Sequence, residues 1–234
     1  MHHLLILPMK RSSEGEVGGA VGRALRRLSH LALGAIIVVY LFPERIYGLP
    51  RGFYIVLFFT ILPLTIEYFR IKRGVVFTGL REHEKSRVAS YAWFCQGVVI
   101  SILFFPQQIA APAIVAAAAA DPLMGEVRRL SRGSALLAGF LLSAAVFFLY
   151  GYSLPLSALS GALVVLGELL EVRGVVRLRE EALGGEGAGL PFKTDDDFTT
   201  VLVPVVLLAL LYHFLPNLFP GALLKPSAPF TSLP

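Results

Sequence analysis

Carboxylates stand at or near the ends of several apolar segments of this chain. Asp121 and Glu168 each lie near the end of such a segment, and Asp195, Asp196 and Asp197 directly precede another. Mg²⁺ takes oxygen ligands and is usually held by one or two carboxylates together with substrate phosphates. If the helices bring these acids together, they can hold a divalent cation with a phosphorylated ligand. We therefore expect Asp121, with Asp195 or Asp196, to bind Mg²⁺.

Basic residues lie at a similar predicted height. The candidates for phosphate binding are Arg128, Arg129, Arg132 and Lys193, with His30 nearby. Such cations hold phosphate oxygens and offset the charge that builds up on a bridging oxygen during transfer. At about 1.5 Å per helical residue, Asp121 and Glu168 each lie about 21 Å from the opposite end of their segments. The acids and the cations are therefore expected to form one layer.

Each candidate also has a structural interpretation. Asp195–Asp197 could cap the helix that follows them, since acidic residues interact favourably with a helix N-terminus. Asp121 could bond to backbone groups freed by Pro122, and Glu168 could pair with a base on a neighbouring helix. His30 alone is typical of an interfacial histidine. The alternating charges of Arg81–Arg87 (REHEKSR) could form a solvated helix face.

The composition indicates a membrane protein. Of 234 residues, 56% are hydrophobic and 16% charged, with a mean hydropathy of +0.71. Soluble domains carry roughly 25% charged residues, so a soluble enzyme or a nucleic-acid binder is a poor fit. The net charge of +5 then reflects membrane orientation, not nucleic-acid binding. The single cysteine, Cys95, excludes a disulfide framework within the chain.

Seven apolar segments approach the roughly 20 residues needed to cross a bilayer. They are Leu28–Phe42, Gly52–Phe69, Val88–Phe105, Ile109–Val127, Ala135–Gly151, Leu154–Leu170 and Phe198–Leu215. We predict an all-α, polytopic membrane helix bundle. Residues 1–27 form a cytoplasmic or interfacial segment, residues 28–215 the transmembrane catalytic domain, and residues 216–234 a Pro-rich tail on the outer side.

The basic residues predict the orientation. With a cytoplasmic N-terminus, all but three of the 21 Lys and Arg residues fall on the inner side, and only Arg45, Arg51 and Lys225 lie outside. An excess of Lys and Arg in cytoplasmic loops is the usual determinant of topology. The predicted site therefore faces the cytoplasm.

Five short stretches carry a family resemblance. They are RRLSHLALG (Arg26–Gly34), EYFR (Glu67–Arg70), ADP (Ala120–Pro122), RGS (Arg132–Ser134) and TDDDFTTVLVP (Thr194–Pro204). Their order resembles that of the polyprenol kinase family, which includes dolichol kinase and phytol kinase and is related to the CDP-lipid synthases. The last stretch is the most specific, because it resembles the signature Asp-Asp-Asn-x-x-x-x-x-Pro, with Asp197 in place of Asn.

The resemblance implies a CTP-dependent kinase that phosphorylates an isoprenoid alcohol of the dolichol, polyprenol, phytol or geranylgeraniol class. It implies that Gly133 and Ser134 belong to a nucleotide-binding element. Asp196 or Glu168 is then the candidate to accept the hydroxyl proton, and Asp121 belongs to the catalytic set. The expected partners are the nucleotide, the lipid alcohol and membrane lipids.

Two other functions fit the same residues. A lipid-phosphate cytidylyltransferase, similar to the CDP-lipid synthases, would release pyrophosphate where a kinase releases CDP. A non-catalytic or ion-coupled membrane protein would use the acidic layer as a cation or proton path and would turn over no nucleotide.

Overall fold

The computed structural model describes residues 17–170 and 196–224, except for the side chains of His83 and Asp196, and this part of the chain is a bundle of α-helices. The helices are α1 (Gly19–Gly34), α2 (Arg51–Val56), α3 (Leu62–Arg73), α4 (Ser90–Phe104), α5 (Gln107–Val127), α6 (Arg132–Leu149), α7 (Leu154–Leu169) and α8 (Asp196–Phe214). A 3₁₀ segment, Ala35–Leu41, continues α1, and a π-helical turn, Leu57–Ile61, joins α2 to α3.

The helices follow the predicted apolar segments closely. Local signals set several of their ends: Ser131 accepts a hydrogen bond from the Ser134 N–H and caps α6, while Gly74, with φ +65°, ends α3. The first helix begins at Gly19, ahead of the apolar segment that starts at Leu28. The predicted boundary after residue 27 therefore falls inside α1.

Within residues 17–170 and 196–224, five helical segments are long and apolar enough to cross a membrane. They are Gly19–Leu41, Arg51–Arg73, Gln107–Val127, Arg132–Leu149 and Asp197–Phe214. The helices Ser90–Phe104 and Leu154–Leu169 are apolar but shorter. Large apolar side chains such as Phe53, Phe58 and Ile61 are exposed on the outside of the bundle. Apolar exposure on this scale suits a lipid environment, so the chain is a helical membrane protein.

Helix α5 lies at the centre of the bundle. Its alanines Ala110, Ala111, Ala113, Ala116, Ala117, Ala118 and Ala120 are all buried. It contacts α1, α4, α6, α7 and α8. Small side chains let helix backbones approach closely, which is the usual means of helix association in membranes. The alanine run therefore allows α5 to serve as the packing surface for the elements that carry the candidate site.

A short β-ribbon connects the first helical segment to α2, at the end of the bundle opposite the start of α1. Arg45–Ile46 pairs antiparallel with Leu49–Pro50. Tyr47 and Gly48 form its turn, with φ values of 49° and 80°. The Arg51 guanidinium donates to the carbonyl oxygen of Phe42 at 2.8 Å, which ties the end of the first helical segment to the start of α2.

Candidate metal and phosphate site

Close helix contacts bring the predicted residues of α1 and α5 together. A Cβ on Gly34 would lie 2.7 Å from the Cβ of Ala118, so the two helices are nearly in backbone contact there. His30 precedes Gly34 by one helical turn, and Asp121 follows Ala118 by nearly one turn. Because successive turns stack on one face of a helix, the Gly34–Ala118 contact places His30 opposite Asp121.

Helix α8 completes the arrangement through similar contacts. Gly97 of α4 packs against Phe198 and Val201 of α8, and Gly167 of α7 packs against the backbone of Thr199 and Thr200. The Thr199 hydroxyl also donates to the Gly167 carbonyl oxygen at 2.9 Å. These contacts fix the position and rotation of the first turn of α8, which carries Asp197.

Three side chains from three helices then meet at one point. The Oδ2 atom of Asp197 lies 2.9 Å from Nε2 of His30, and the Oδ2 atom of Asp121 lies 3.7 Å from the same nitrogen. One ligand atom of each side chain falls within 4.8 Å of the other two. His30 and Asp197 are buried, whereas 21% of the Asp121 side chain is exposed. We call these residues the acid–histidine cluster; Asp121 gives it access from outside.

Arg26 connects this cluster to Glu84, which lies between α3 and α4. Its carbonyl oxygen lies 2.9 Å from Nδ1 of His30, and its Nη2 lies 3.7 Å from Oδ2 of Asp197. Its Nη1 donates to both carboxylate oxygens of Glu84 at 3.2 Å. Arg26 therefore orients the His30 ring through its backbone and faces Asp197 with its side chain.

A second group of buried charges lies beside the first. Arg70 donates through Nε and Nη2 to the two oxygens of Glu67, at 2.8 and 2.7 Å. Its Nη2 also donates to the carbonyl oxygens of Glu84 and Arg87, at 3.0 and 2.5 Å. The Ala89 N–H donates to Glu67 at 2.8 Å. We call Glu67, Arg70 and Glu84 the loop clamp, because together they hold residues 81–89 against α3.

The loop clamp shows that the REHEKSR segment is only partly a solvated face. Glu82 and Lys85 are exposed, as that interpretation expects, but Glu84 is 1% exposed. Burial by itself raises the pKa of the Glu84 carboxyl, but Arg26 and the N–H groups of Arg81 and Ser90 outweigh it, so the pKa lies below its usual range. Glu84 is therefore held as an anion.

Glu168 lies near the same end, on α7, and pairs with a neighbouring helix. Its Oε1 accepts from Nη2 of Arg128, at the end of α5. The Thr200 hydroxyl lies 3.5 Å from its other oxygen. The Glu168 side chain is 6% exposed, whereas that of Arg128 is 49% exposed. The pair is the contact with a neighbouring helix that the structural interpretation anticipates, and it leaves the Arg128 stem in contact with solvent.

The remaining predicted phosphate-binding residues lie around the end of α5 and the start of α6. Arg129 is 54% exposed and pairs with Glu126 at 3.3 Å. Arg132, Gly133 and Ser134 form the exposed first turn of α6. The Ser134 hydroxyl accepts from that of Ser131 at 2.7 Å. These exposed residues lie at this end of the bundle, and none of them is a member of the acid–histidine cluster.

The α8 acid in the cluster is Asp197, which was not among the predicted ligands. Asp195 and Lys193 lie outside the described residues, as does the side chain of Asp196. Arg26 and Glu84 were also absent from the predicted site. The four-residue spacing of Arg26 and His30 places them on one helix face and was the available signal. For the pairing of Glu84 with Arg26 there was none, since the two residues are 58 positions apart.

Comparisons with known proteins place the chain in no family: no protein-family model, no curated protein and no solved structure gives a significant match.

Proposed function

We propose that this protein is a seven-span membrane kinase that transfers the terminal phosphoryl group of CTP to an isoprenoid alcohol. One observation carries the proposal. The three stretches Arg26–Gly34, Ala120–Pro122 and Thr194–Pro204, which carry the family resemblance, are distant in sequence and each contributes one residue to the acid–histidine cluster. Motifs that serve one active site are expected to meet in this way.

The donor set fits a divalent cation. Asp121 and Asp197 supply carboxylate oxygens, and Asp121 remains partly accessible to a ligand arriving from solvent. A cation held there would neutralise charge on the CTP phosphates. The side chains of Arg128 and Arg129, at the end of the same helix, are about half exposed. Their guanidinium groups would hold phosphate oxygens.

The transfer itself requires little covalent chemistry from the protein. The hydroxyl oxygen of the lipid forms a bond to the γ-phosphorus, the bond from that phosphorus to the β,γ-bridging oxygen breaks, and CDP leaves. Positioning and charge stabilisation supply most of the catalysis in such reactions. Glu168 is the described carboxylate that would receive the hydroxyl proton, after Arg128 moves from it to the nucleotide.

The proposed topology places this end of the bundle in the cytoplasm. Helices α4 and α7 count as spans although they have 15 and 16 residues, about 23 and 24 Å at 1.5 Å per residue. A bilayer adapts to short spans by local thinning at modest cost. The asymmetry of Lys and Arg supports the orientation.

Cysteine labelling tests the topology. In a Cys95→Ser background, Leu130→Cys and Tyr47→Cys place thiols at exposed positions, 82% and 98% accessible, on opposite ends of the bundle. A membrane-impermeant maleimide added to right-side-out vesicles should label position 47 and spare position 130. Labelling of position 130 alone would invert the topology, and labelling of both or neither at intact membranes would refute the arrangement.

Product analysis tests the reaction. Purified protein is incubated with a divalent cation, each γ-labelled nucleotide and geranylgeraniol, and label in the lipid phase is counted beside CDP and pyrophosphate. The proposal predicts labelled lipid and CDP, with CTP as the best donor. Pyrophosphate formed only with a lipid phosphate would instead establish a cytidylyltransferase. No product with any donor from folded protein would refute both and favour an ion-coupled or non-catalytic role.

A further inference from the structure

The hydrogen bond on the far side of the His30 ring determines what its Nε2 atom can do. Nδ1 of His30 lies 2.9 Å from the Arg26 carbonyl oxygen. A carbonyl oxygen only accepts hydrogen bonds, so Nδ1 carries a hydrogen and donates it. In the neutral ring, Nε2 then presents its lone pair to the Asp197 carboxylate, which lies 2.9 Å away and also accepts. Either a second proton or a cation must lie between these two atoms.

Several features favour the cation. Histidines that ligate metals almost always donate the other ring N–H to a carboxylate, a backbone carbonyl or water, and His30 donates to the carbonyl of Arg26. Two ligands each about 2.1 Å from one ion are about 3.0 Å apart at right angles and about 3.4 Å apart at the tetrahedral angle. The distances from Nε2 to Asp197 and Asp121, 2.9 and 3.7 Å, bracket these values.

Arg26 supplies an independent indication of a ligand. Its side chain is 10% exposed, and its Nη2 atom is fully buried without a hydrogen-bond partner among the described residues. That atom points toward Asp197 from 3.7 Å. A buried guanidinium N–H without a partner is costly, and an oxygen carried by a bound cation, from water or from phosphate, would satisfy it.

We propose that the acid–histidine cluster is a mixed nitrogen–oxygen site for a first-row divalent metal ion, with Nε2 of His30 as a direct ligand beside the carboxylates of Asp121 and Asp197. First-row divalent ions, Mn²⁺ included, accept an imidazole nitrogen beside carboxylate oxygens, whereas Mg²⁺ takes oxygen ligands. The inference rests on the proposed function only for the role of the ion in catalysis. It replaces the Mg²⁺ expected from the sequence with a first-row metal ion. The nitrogen ligand makes the site prefer Mn²⁺ over Mg²⁺.

Mn²⁺ binding to the purified full-length protein in detergent tests the site without CTP or lipid. Titration followed by electron paramagnetic resonance should show one tightly bound ion, and Mg²⁺ should displace it with at least about 10-fold lower affinity. Pulsed electron paramagnetic resonance should detect the hyperfine coupling between Mn²⁺ and a directly coordinated imidazole nitrogen. In His30→Gln this nitrogen coupling should disappear, and the affinity for Mn²⁺ should fall about 10- to 100-fold. The affinity for Mg²⁺ should change much less.

The controls separate His30 from other histidines. His213→Gln alters an exposed histidine at the far end of α8, and a His2→Gln, His3→Gln double variant alters the two nearest the N-terminus. Both should retain the nitrogen coupling. If His30→Gln does not fold, wild-type coupling together with a 10-fold loss of Mn²⁺ affinity in Asp121→Asn supports the site.

Three results would overturn the inference: no stoichiometric Mn²⁺ binding, bound Mn²⁺ without nitrogen coupling, or coupling that survives His30→Gln. The metal site and the kinase fail separately. If the protein binds Mn²⁺ through nitrogen but phosphorylates no lipid, the metal site is supported and the proposed function is refuted. If it phosphorylates lipid but shows no nitrogen coupling, the proposed function is supported and the metal site is refuted.

Discussion

Two groups of buried charges lie side by side at one end of the bundle, and they are built differently. In the loop clamp, each oxygen of Glu67 receives two hydrogen bonds from the protein, from Arg70 and Tyr91 at Oε1 and from Arg70 and Ala89 at Oε2. In the acid–histidine cluster, two carboxylates and a ring nitrogen turn ligand atoms toward one point. Carboxylates at the same end of the bundle thus bind protein donors in one group and form a candidate ligand set in the other.

The comparison separates burial from function. Glu67 and Arg70 are as thoroughly buried as His30 and Asp197, so burial of a charged residue in a membrane helix does not by itself mark a site. The two groups differ in their contacts: protein donors bind both oxygens of Glu67, whereas the cluster turns its ligand atoms toward one point. Substitutions in the loop clamp should therefore affect folding, and substitutions in the cluster should affect ion binding and turnover.

The largest expected effect is on stability, in the loop clamp. Arg70→Met leaves the buried Glu67 carboxylate without its main partner, and breaking a buried pair from one side costs about 3–5 kcal/mol. Arg73→Met, three residues further along α3, removes an exposed guanidinium and should change the free energy of unfolding by no more than about 0.5 kcal/mol. Denaturant unfolding in detergent micelles, followed by circular dichroism, measures both. Equal stability of the two variants would show that the loop clamp is not structural.

Next comes Asp197→Asn, which also recreates the Asp-Asp-Asn signature that the C-terminal stretch resembles. If Asp197 supplies a charged ligand, turnover should fall on the order of 100-fold, the scale of one lost electrostatic contact in an active site. The protein should stay folded, because Arg26 retains Glu84. Lipid phosphorylation and thermal unfolding are compared with Glu44→Gln, an exposed acid at the opposite end. Unchanged turnover would mean that Asp197 needs only an amide's hydrogen-bonding ability.

A smaller effect is expected where α1 meets α5. Gly34→Ala puts a methyl group 2.7 Å from the Ala118 methyl, so the helices must separate, at a cost of about 1 kcal/mol for modest overpacking. His30 and Asp121 move apart with them, and Mn²⁺ affinity should fall. Gly125→Ala on α5 is the matched control, because a Cβ there meets nothing within 4 Å. Isothermal titration with Mn²⁺ should give different affinities for the two variants. Identical affinities would show that the Gly34–Ala118 contact does not position the metal ligands.

The smallest expected effect is a pH dependence carried by Glu84. Its pKa is lower in the folded protein than in the unfolded chain, so its contribution to stability is present above its unfolded pKa and is lost as the pH falls through the folded value. Melting temperatures of wild type and Glu84→Gln should differ near neutral pH and converge as the pH is lowered below about 4. A gap that stays constant across this range would assign the stabilisation to packing.

The sequence predicted the helices well and the cluster only in part. Runs of apolar residues bounded by charges locate spans such as Ile109–Val127 to within a few residues, because the bilayer dictates their length. The choice between Asp195, Asp196 and Asp197 is different, since successive residues point about 100° apart around a helix. Which of them faces His30 depends on how Gly97 and Gly167 seat α8, and that is a tertiary contact.

Glu84 illustrates the same limit from the other direction. Its alternating-charge surroundings are typical of a solvated face, and Glu82 and Lys85 are indeed exposed. Its buried carboxylate pairs with Arg26, which is 58 residues away in the chain. Local patterns carry no record of such a pairing, whereas the Arg26–His30 spacing did place those two residues on one face of α1.

Turnover of Asp121→Asn tests most directly whether the acid–histidine cluster is the reaction centre. Transfer of label from γ-labelled CTP to geranylgeraniol is measured for wild type, Asp121→Asn and Glu44→Gln, each at the same concentration of folded protein. We predict a loss of at least about 100-fold in Asp121→Asn, with Glu44→Gln equal to wild type. Wild-type turnover in folded Asp121→Asn would show that the chemistry occurs elsewhere.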